Sequence, residues 1–205
     1  MTGDQRKSWN REYRYKGKLW RGESRERDII ESNLLPGLTL DNGCGNGKGT
    51  PAVDGVIGLD FSLFALSLYN NPNRILASMV QLPFKDRIFS NVLFIHSLDH
   101  LRRDERRTAM IEASRVLKDG GRIIIRVFSR EDFRYGKGKE VEENTFLRGN
   151  KITTHYFDKG EFTENPDFQI ESINDINYTI NIKGTTFKRQ EFIIILVKFK
   201  SRNIQ

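Results

Sequence analysis

Residues 38–60 read LTLDNGCGNGKGTPAVDGVIGLD, and this stretch decides the fold. A short apolar run, Leu38–Leu40, ends in Asp41, and a second, Val56–Leu59, ends in Asp60. Between them lie Gly43, Gly45 and Gly47, residues that let a backbone turn tightly and approach a ligand closely. In open α/β sheets, ligands sit beyond the carboxyl ends of the strands, where both acids fall. The spacing is GxGxG, not the dinucleotide pattern GxGxxG. Lys48–Val53 contains Gly49 and Pro51 and makes a poor helix, so a pyrophosphate would lack a helix N-terminus. A nucleoside without phosphates fits better, with Asp60 accepting from both ribose hydroxyls. The competing structural reading is a tight turn beside a surface Asp.

Working outward, Ser62 is a candidate N-cap for a helix running to about Tyr69, stopped by Asn70-Asn71-Pro72-Asn73. Arg74–Ala77 and Asn91–Ile95 read as the third and fourth strands. Ala109, Met110, Ala113, Val116 and Leu117 form the apolar stripe of a helix, with Asp104 as candidate N-cap and Gly120-Gly121 as stop. Arg122–Phe128 is the fifth strand. Phe168–Tyr178 and Phe192–Phe199 are β-rich with no helix between them, which suits an antiparallel pair. The expected fold is α/β: a Rossmann-like, doubly wound, seven-stranded mixed sheet with an antiparallel C-terminal strand pair. The expected organisation is an N-terminal helical extension over 1–34, in two pieces broken near Gly17 and Gly22, then a domain over 35–205. A polar, irregular, lid-like insertion occupies 129–165.

The 205 residues suit one domain, and 37% hydrophobic content suffices for a core. A single cysteine excludes an intramolecular disulfide and a Cys-based zinc site, and three histidines leave little for other metals, so none is expected. No apolar run reaches the roughly 18–20 residues of a membrane span. The N-terminus MTGDQRKSWNR has no apolar signal region, so a cytoplasmic protein is expected. The net charge is +7. Residues 1–27 hold nine Lys/Arg and four Asp/Glu, a local excess of five, together with Trp9, Trp20, Tyr13 and Tyr15. This segment reads first as a solvated helix with an aromatic inner face; phosphate contact and base stacking are the other reading.

LDNGCGNG with VIGLDFS, then LPFKDRIFSNVLFIHSLDHL and RVLKDGGRIII, resembles the class I S-adenosylmethionine-dependent methyltransferases from about Leu38 to Phe128. The resemblance implies S-adenosylmethionine as cofactor. Asp41 and the backbone at Gly43, Cys44, Gly45 and Gly47 would face its methionine part. Asp60 would hold the ribose, with Phe61 against the adenine. Ser78 stands where such proteins usually carry an Asp for the adenine amino group, with Met79 beside it. His96 and Ser97 match the positions lining the methyl-transfer site. GCGNGK and HLxxxERRxA are similar to the wobble-uridine tRNA methyltransferases, whereas FRYGKGKEVEENTF and HYFxxxEF resemble small cytosolic methyltransferases of assorted small molecules. A small-molecule acceptor is therefore expected, with tRNA as alternative and an inactive cofactor-binding regulatory subunit as the reading of another class.

Methyl transfer is an in-line displacement that positioning and desolvation largely drive, so a base is needed only where the acceptor must lose a proton. His96, His155 and Asp99 are the catalytic candidates; Asp99 with His100 also reads as a helix cap. Arg134, Tyr135, His155 and Tyr156 in the insertion are expected to contact substrate. Trp20 and Arg21, with Tyr13, are expected to cover the cofactor, Arg21 pairing with its carboxylate. Cys44 reads as packed and inert. Arg102, Arg103, Arg106 and Arg107 read as a solvated face, a phosphate-binding face being the alternative.

Overall fold

A computed structural model describes residues 3–17, 27–163 and 166–200. The strands β1 (Thr39–Asn42), β2 (Val56–Asp60), β3 (Arg74–Leu76), β4 (Phe89–Ile95) and β5 (Leu117–Phe128) are mutually parallel. β9 (Phe168–Ile182) and β10 (Thr185–Lys198) complete the sheet, whose order is β3-β2-β1-β4-β5-β10-β9. β10 runs antiparallel to both its neighbours. The mixed seven-stranded architecture anticipated above is thus present, with the final strand inserted inside the pair it forms with β9.

Successive side chains of a strand point to opposite faces, and here both faces are covered. Val92, Phe94, Ile123 and Ile125 pack with Ala109, Ala113 and Val116 of α4 (Arg103–Val116) on one face. Leu93, Ile124 and Ile193 meet Ile30 of α2 (Arg27–Ser32) on the other. That is why β4 reads as the unbroken apolar run NVLFI rather than as an alternation.

Four local expectations are corrected. Arg102, not Asp104, is the N-cap of α4: its N–H donates to Glu105 Oε2 at 3.2 Å, while Asp104 sits in the first turn, where the helix dipole favours an acid. Gly120 and Gly121 do not stop that helix; it gives way to β5 at Leu117, and Gly120 takes φ +73° inside the strand. α3 (Leu63–Ser67) is capped as expected, with Ala65 N–H donating to Ser62 Oγ, but it ends before Asn70. The insertion is not irregular: β6 (Lys139–Glu142), β7 (Thr145–Leu147) and β8 (Thr153–His155) form a three-stranded antiparallel sheet.

The N-terminal segment carries α1 (Gly3–Lys16), closed where Gly17 at φ +61° donates its N–H to the Tyr13 carbonyl. Gly22 lies outside the described residues. No helix forms between β1 and β2, as the Gly49 and Pro51 reading implied.

Candidate active site

The turn after β1 needs backbone that only glycine adopts readily: Gly43, Gly45 and Gly47 lie at φ +85°, +57° and +83°. Gly45 donates its N–H to Asp60 Oδ2 at 2.9 Å, and Ser62 donates its own to Oδ1 at 2.7 Å. The second-strand acid therefore braces the glycine turn. Asp41 is buried beside it; Thr50 Oγ1 donates to its Oδ2, while Oδ1 has no partner among the described residues. Burial pushes both carboxyls up to about 6. Burial also pushes the Cys44 thiol up, so it is a packed residue, not a nucleophile.

α1 lies over this turn. Asn10 Oδ1 accepts from Ser62 Oγ at 2.8 Å, and Arg14 stacks over Phe64 at 4.3 Å. At its other end, Arg11 and Gln5 donate to the Asn150 and Lys151 carbonyls of the insertion at 3.0 and 3.1 Å. Tyr13 is buried, and a Cβ on Gly45 would fall 2.4 Å from its hydroxyl. Tyr13 thus lies over the turn, where it was expected with Trp20 and Arg21, which lie outside the described residues.

A cavity of about 740 Å³ runs from this turn to the insertion. Asp41, Gly43, Cys44 and Gly45 line one end, His96 and His100 lie along it, and Trp9 and Tyr13 belong to its α1 side. The far end is basic: Arg126, Arg134, Arg148 and Arg189 all line it, with Phe128, Tyr178 and Glu191.

Glu191, 1% exposed, is the hub of that end. It accepts from Arg126 Nε at 2.7 Å, from Tyr178 Oη at 2.7 Å and from an Arg189 amine at 3.1 Å, and pairs with His96 Nε2 at 3.2 Å. Burial pushes its carboxyl up, but His96, Arg126 and Tyr178 outweigh this and hold it well below the usual range. Asp132, 2% exposed, performs the same service for Arg134 at 2.8 Å and Arg189 at 2.5 Å. The Phe128 ring carries His96 stacked at 4.4 Å and Arg134 at 4.0 Å.

His96 holds a left-handed backbone, φ +52°, at the end of β4. Burial disfavours its cation, but Glu191 and Asp99 more than offset that and raise its pKa. His100 behaves oppositely. Its Nδ1 lies 2.8 Å from the Thr153 carbonyl and so carries the proton, and burial lowers its pKa. Trp9 meets it edge-on at 4.8 Å.

Several predicted contacts fall elsewhere. Asp99 is fully buried, accepts from Phe128 N–H at 2.7 Å and does not line the cavity. His155, 2% exposed, is tied to Thr145 at 2.8 Å and Glu161 at 2.9 Å inside the insertion. Tyr135 and Tyr156 form that region's aromatic core with Phe146 and Phe128. Of the four predicted substrate contacts, only Arg134 reaches the cavity. Ser97 instead donates to the Asn42 carbonyl at 2.7 Å, and Gly47 packs against Tyr69. Met79 backs Gly43, Ser78 bridges to Gln81, and Phe61 is half-buried; none of these, nor Asp60, lines the cavity. Glu191, Arg126 and Arg189 were missed, although a charge inside the apolar run RIIIRVF was a visible sign of a buried partner.

The described residues hold no helix long and apolar enough to cross a membrane. They also hold no cluster of three or more His, Cys, Asp or Glu side chains suited to a metal.

Residues 40–125 match a methyltransferase domain family. An uncharacterised protein of Methanocaldococcus jannaschii is 32% identical over 140 residues, covering 62% of this chain and 55% of that one. A tRNA (carboxymethyluridine(34)-5-O)-methyltransferase of Arabidopsis thaliana is 33% identical over 108 residues, 50% of this chain and 27% of that one. The chain spans about half the length of the first curated relatives it matches, 55% and 45%. Among solved structures, the Burkholderia thailandensis 1,6-didemethyltoxoflavin-N1-methyltransferase with bound S-adenosylhomocysteine is similar at TM-score 0.69 and 18% identity, over 96% of this chain and 88% of that one. The domain match lies across β1 to β5 of the sheet described above, so over these residues the chain resembles that methyltransferase family, and its fold is similar to that of the Burkholderia enzyme.

Proposed function

We infer that the protein transfers a methyl group from S-adenosylmethionine to an O, N or S atom of a small molecule. The observation that carries this is the continuity of one cavity from the glycine turn of β1 to a pocket beneath the insertion. The cofactor end suits the nucleoside. Asp41 lines the cavity, and among the described residues its buried Oδ1 has no partner, which leaves it acceptor capacity; Asp60 braces the turn from behind, accepting from the Gly45 and Ser62 amides. Bound S-adenosylmethionine supplies a methyl group on a cationic sulfur. The chain's own part is positioning and exclusion of water, with Trp9 and Tyr13 of α1 on the cleft. Where the acceptor must lose a proton, His100 is the group to take it: neutral, with Nδ1–H spent on Thr153, it has Nε2 free of its own proton. His96, held toward its cation by Glu191, is ill suited to that task and serves to shape the wall.

The small-molecule reading rests on the enclosure of the far end by the insertion and by Tyr178 and Ile180 of β9. The tRNA reading draws on the Arabidopsis relative and on the exposed Arg6, Lys7, Arg11 and Arg14 of α1. Of the arginines at the start of α4, Arg103 pairs with Glu143 and Arg106 donates to the Leu101 carbonyl, whereas Arg102 and Arg107 are exposed. The test is tritiated-methyl transfer into a soluble metabolite extract compared with total tRNA, alongside calorimetric titration of S-adenosylhomocysteine. Label in the extract supports the lead reading and label in tRNA supports the alternative. Binding without transfer to either points to an inactive binder.

A further inference from the structure

We propose that the acceptor bears an anionic group, a carboxylate or a phosphate monoester, which seats against Arg134, Arg148 and Arg189 at the basic end of the cavity. This rests on the methyl-transfer reading and narrows its substrate class.

The charges at that end do not balance. Arg134, Arg148 and Arg189 bring three guanidiniums, and among the described residues the carboxylates that bind them are Asp132 and Glu191, the latter shared with Arg126 and His96. Glu12 and Lys48 also line the cavity and offset each other formally. Arg148 bonds only to the Tyr156 hydroxyl, at 3.2 Å, among the described residues. Arg134 and Arg189 each spend Nε and one amine on Asp132 or Glu191, and the second amine of each donates to no described group. Their side chains are only 16% and 10% exposed, and what is exposed of them lines the cavity.

Cations withdrawn from water without counter-ions are costly, and a carboxylate or phosphate entering such a fork gains short, charge-assisted hydrogen bonds. The cofactor sharpens the requirement, because its sulfonium adds a positive charge to the same cavity. A neutral acceptor would leave the excess standing, and a cationic one would increase it. An anionic acceptor brings the assembled site toward neutrality. The Phe128 ring, already stacked by His96 and Arg134, gives the body of such a ligand an apolar floor.

The test uses matched probes on the full chain saturated with S-adenosylhomocysteine: benzoate against benzamide, and phenyl phosphate against phenol, followed by ligand-observed NMR titration. The anionic member of each pair should bind at least about tenfold more tightly, and its advantage should shrink with added salt. Arg148→Glu should erase the preference, while Arg148→Lys, which keeps the charge and loses the fork, should retain part of it. Equal affinity within both pairs, tighter binding of the neutral members, or no binding of either anion at millimolar concentration overturns the proposal. A preference that survives Arg148→Glu also overturns the assignment to this wall. Absence of S-adenosylhomocysteine binding to the wild-type chain would instead defeat the methyl-transfer reading itself, so the two failures are distinguishable.

Discussion

The two ends of the cavity are built in contrasting ways. The cofactor end comes from one contiguous segment, Asp41–Asp60, and works through positive-φ glycines and main-chain amides braced by acids. The acceptor end comes from β4, β5, the insertion, β9 and β10, and works through long charged side chains locked by two buried carboxylates. Local backbone chemistry shapes one end, and side chains drawn from distant parts of the chain shape the other, consistent with how function is grafted on a common fold.

The contrast can be broken most decisively at Glu191. Glu191→Ala leaves Arg126 and Arg189 short of a buried counter-charge, and denaturant unfolding should show a loss of about 3–5 kcal/mol. A loss below about 1 kcal/mol would mean that the acceptor wall is not a locked network. At the cofactor end, Asp60→Ala should weaken S-adenosylhomocysteine binding by about 1–3 kcal/mol, or about 5- to 150-fold, by calorimetry. Unchanged affinity would place the nucleoside elsewhere.

The pH dependence sharpens the same division. Burial pushes Asp41 and Asp60 up to about 6, and a ligand that donates a hydroxyl to Asp41, or that needs the turn braced by ionised Asp60, favours the ionised forms. Affinity for S-adenosylhomocysteine should therefore rise as pH climbs from 5 to 7 and level off above, with at most about tenfold per pH unit for each group. A flat profile would detach both acids from the nucleoside. The smallest effect is expected outside the cavity: Arg103→Ala removes an exposed pair with Glu143 and should change stability by no more than about 0.5 kcal/mol.

The same division explains what could be read without coordinates. The glycine turn and its two acids follow from short-range pattern, because Asp41 and Asp60 lie within about twenty residues of each other. Glu191 offered no comparable signal. It looks like the polar entry to the apolar run FIIIL, and only its register opposite Phe128 puts it beside Arg126 and His96. His155 misled for the converse reason. A titratable ring amid Tyr156 and Phe157 suggests a pocket, but Thr145 and Glu161, 10 and 6 residues away, consume both of its nitrogens within the insertion. Trp9 and Tyr13, four residues apart, share one face of α1 and meet at 5.8 Å.

The position of β10 bears on how the chain is made. Val127 of β5 pairs with Phe192, 65 residues later. At about 5–20 residues per second of synthesis, the apolar flank Ile123–Val127 waits several seconds for its partner. β9 leaves the ribosome first and must not settle on that edge in the place that β10 will take. Its polar side chains, on both faces, count against this: Glu171, Asn174, Asp175 and Asn177 are poorly suited to a site that finally receives Phe192, Ile193, Ile194 and Ile195. The polar character of β9 thus protects a nascent sheet from closing in the wrong order, a safeguard against misassembly that the finished structure no longer displays.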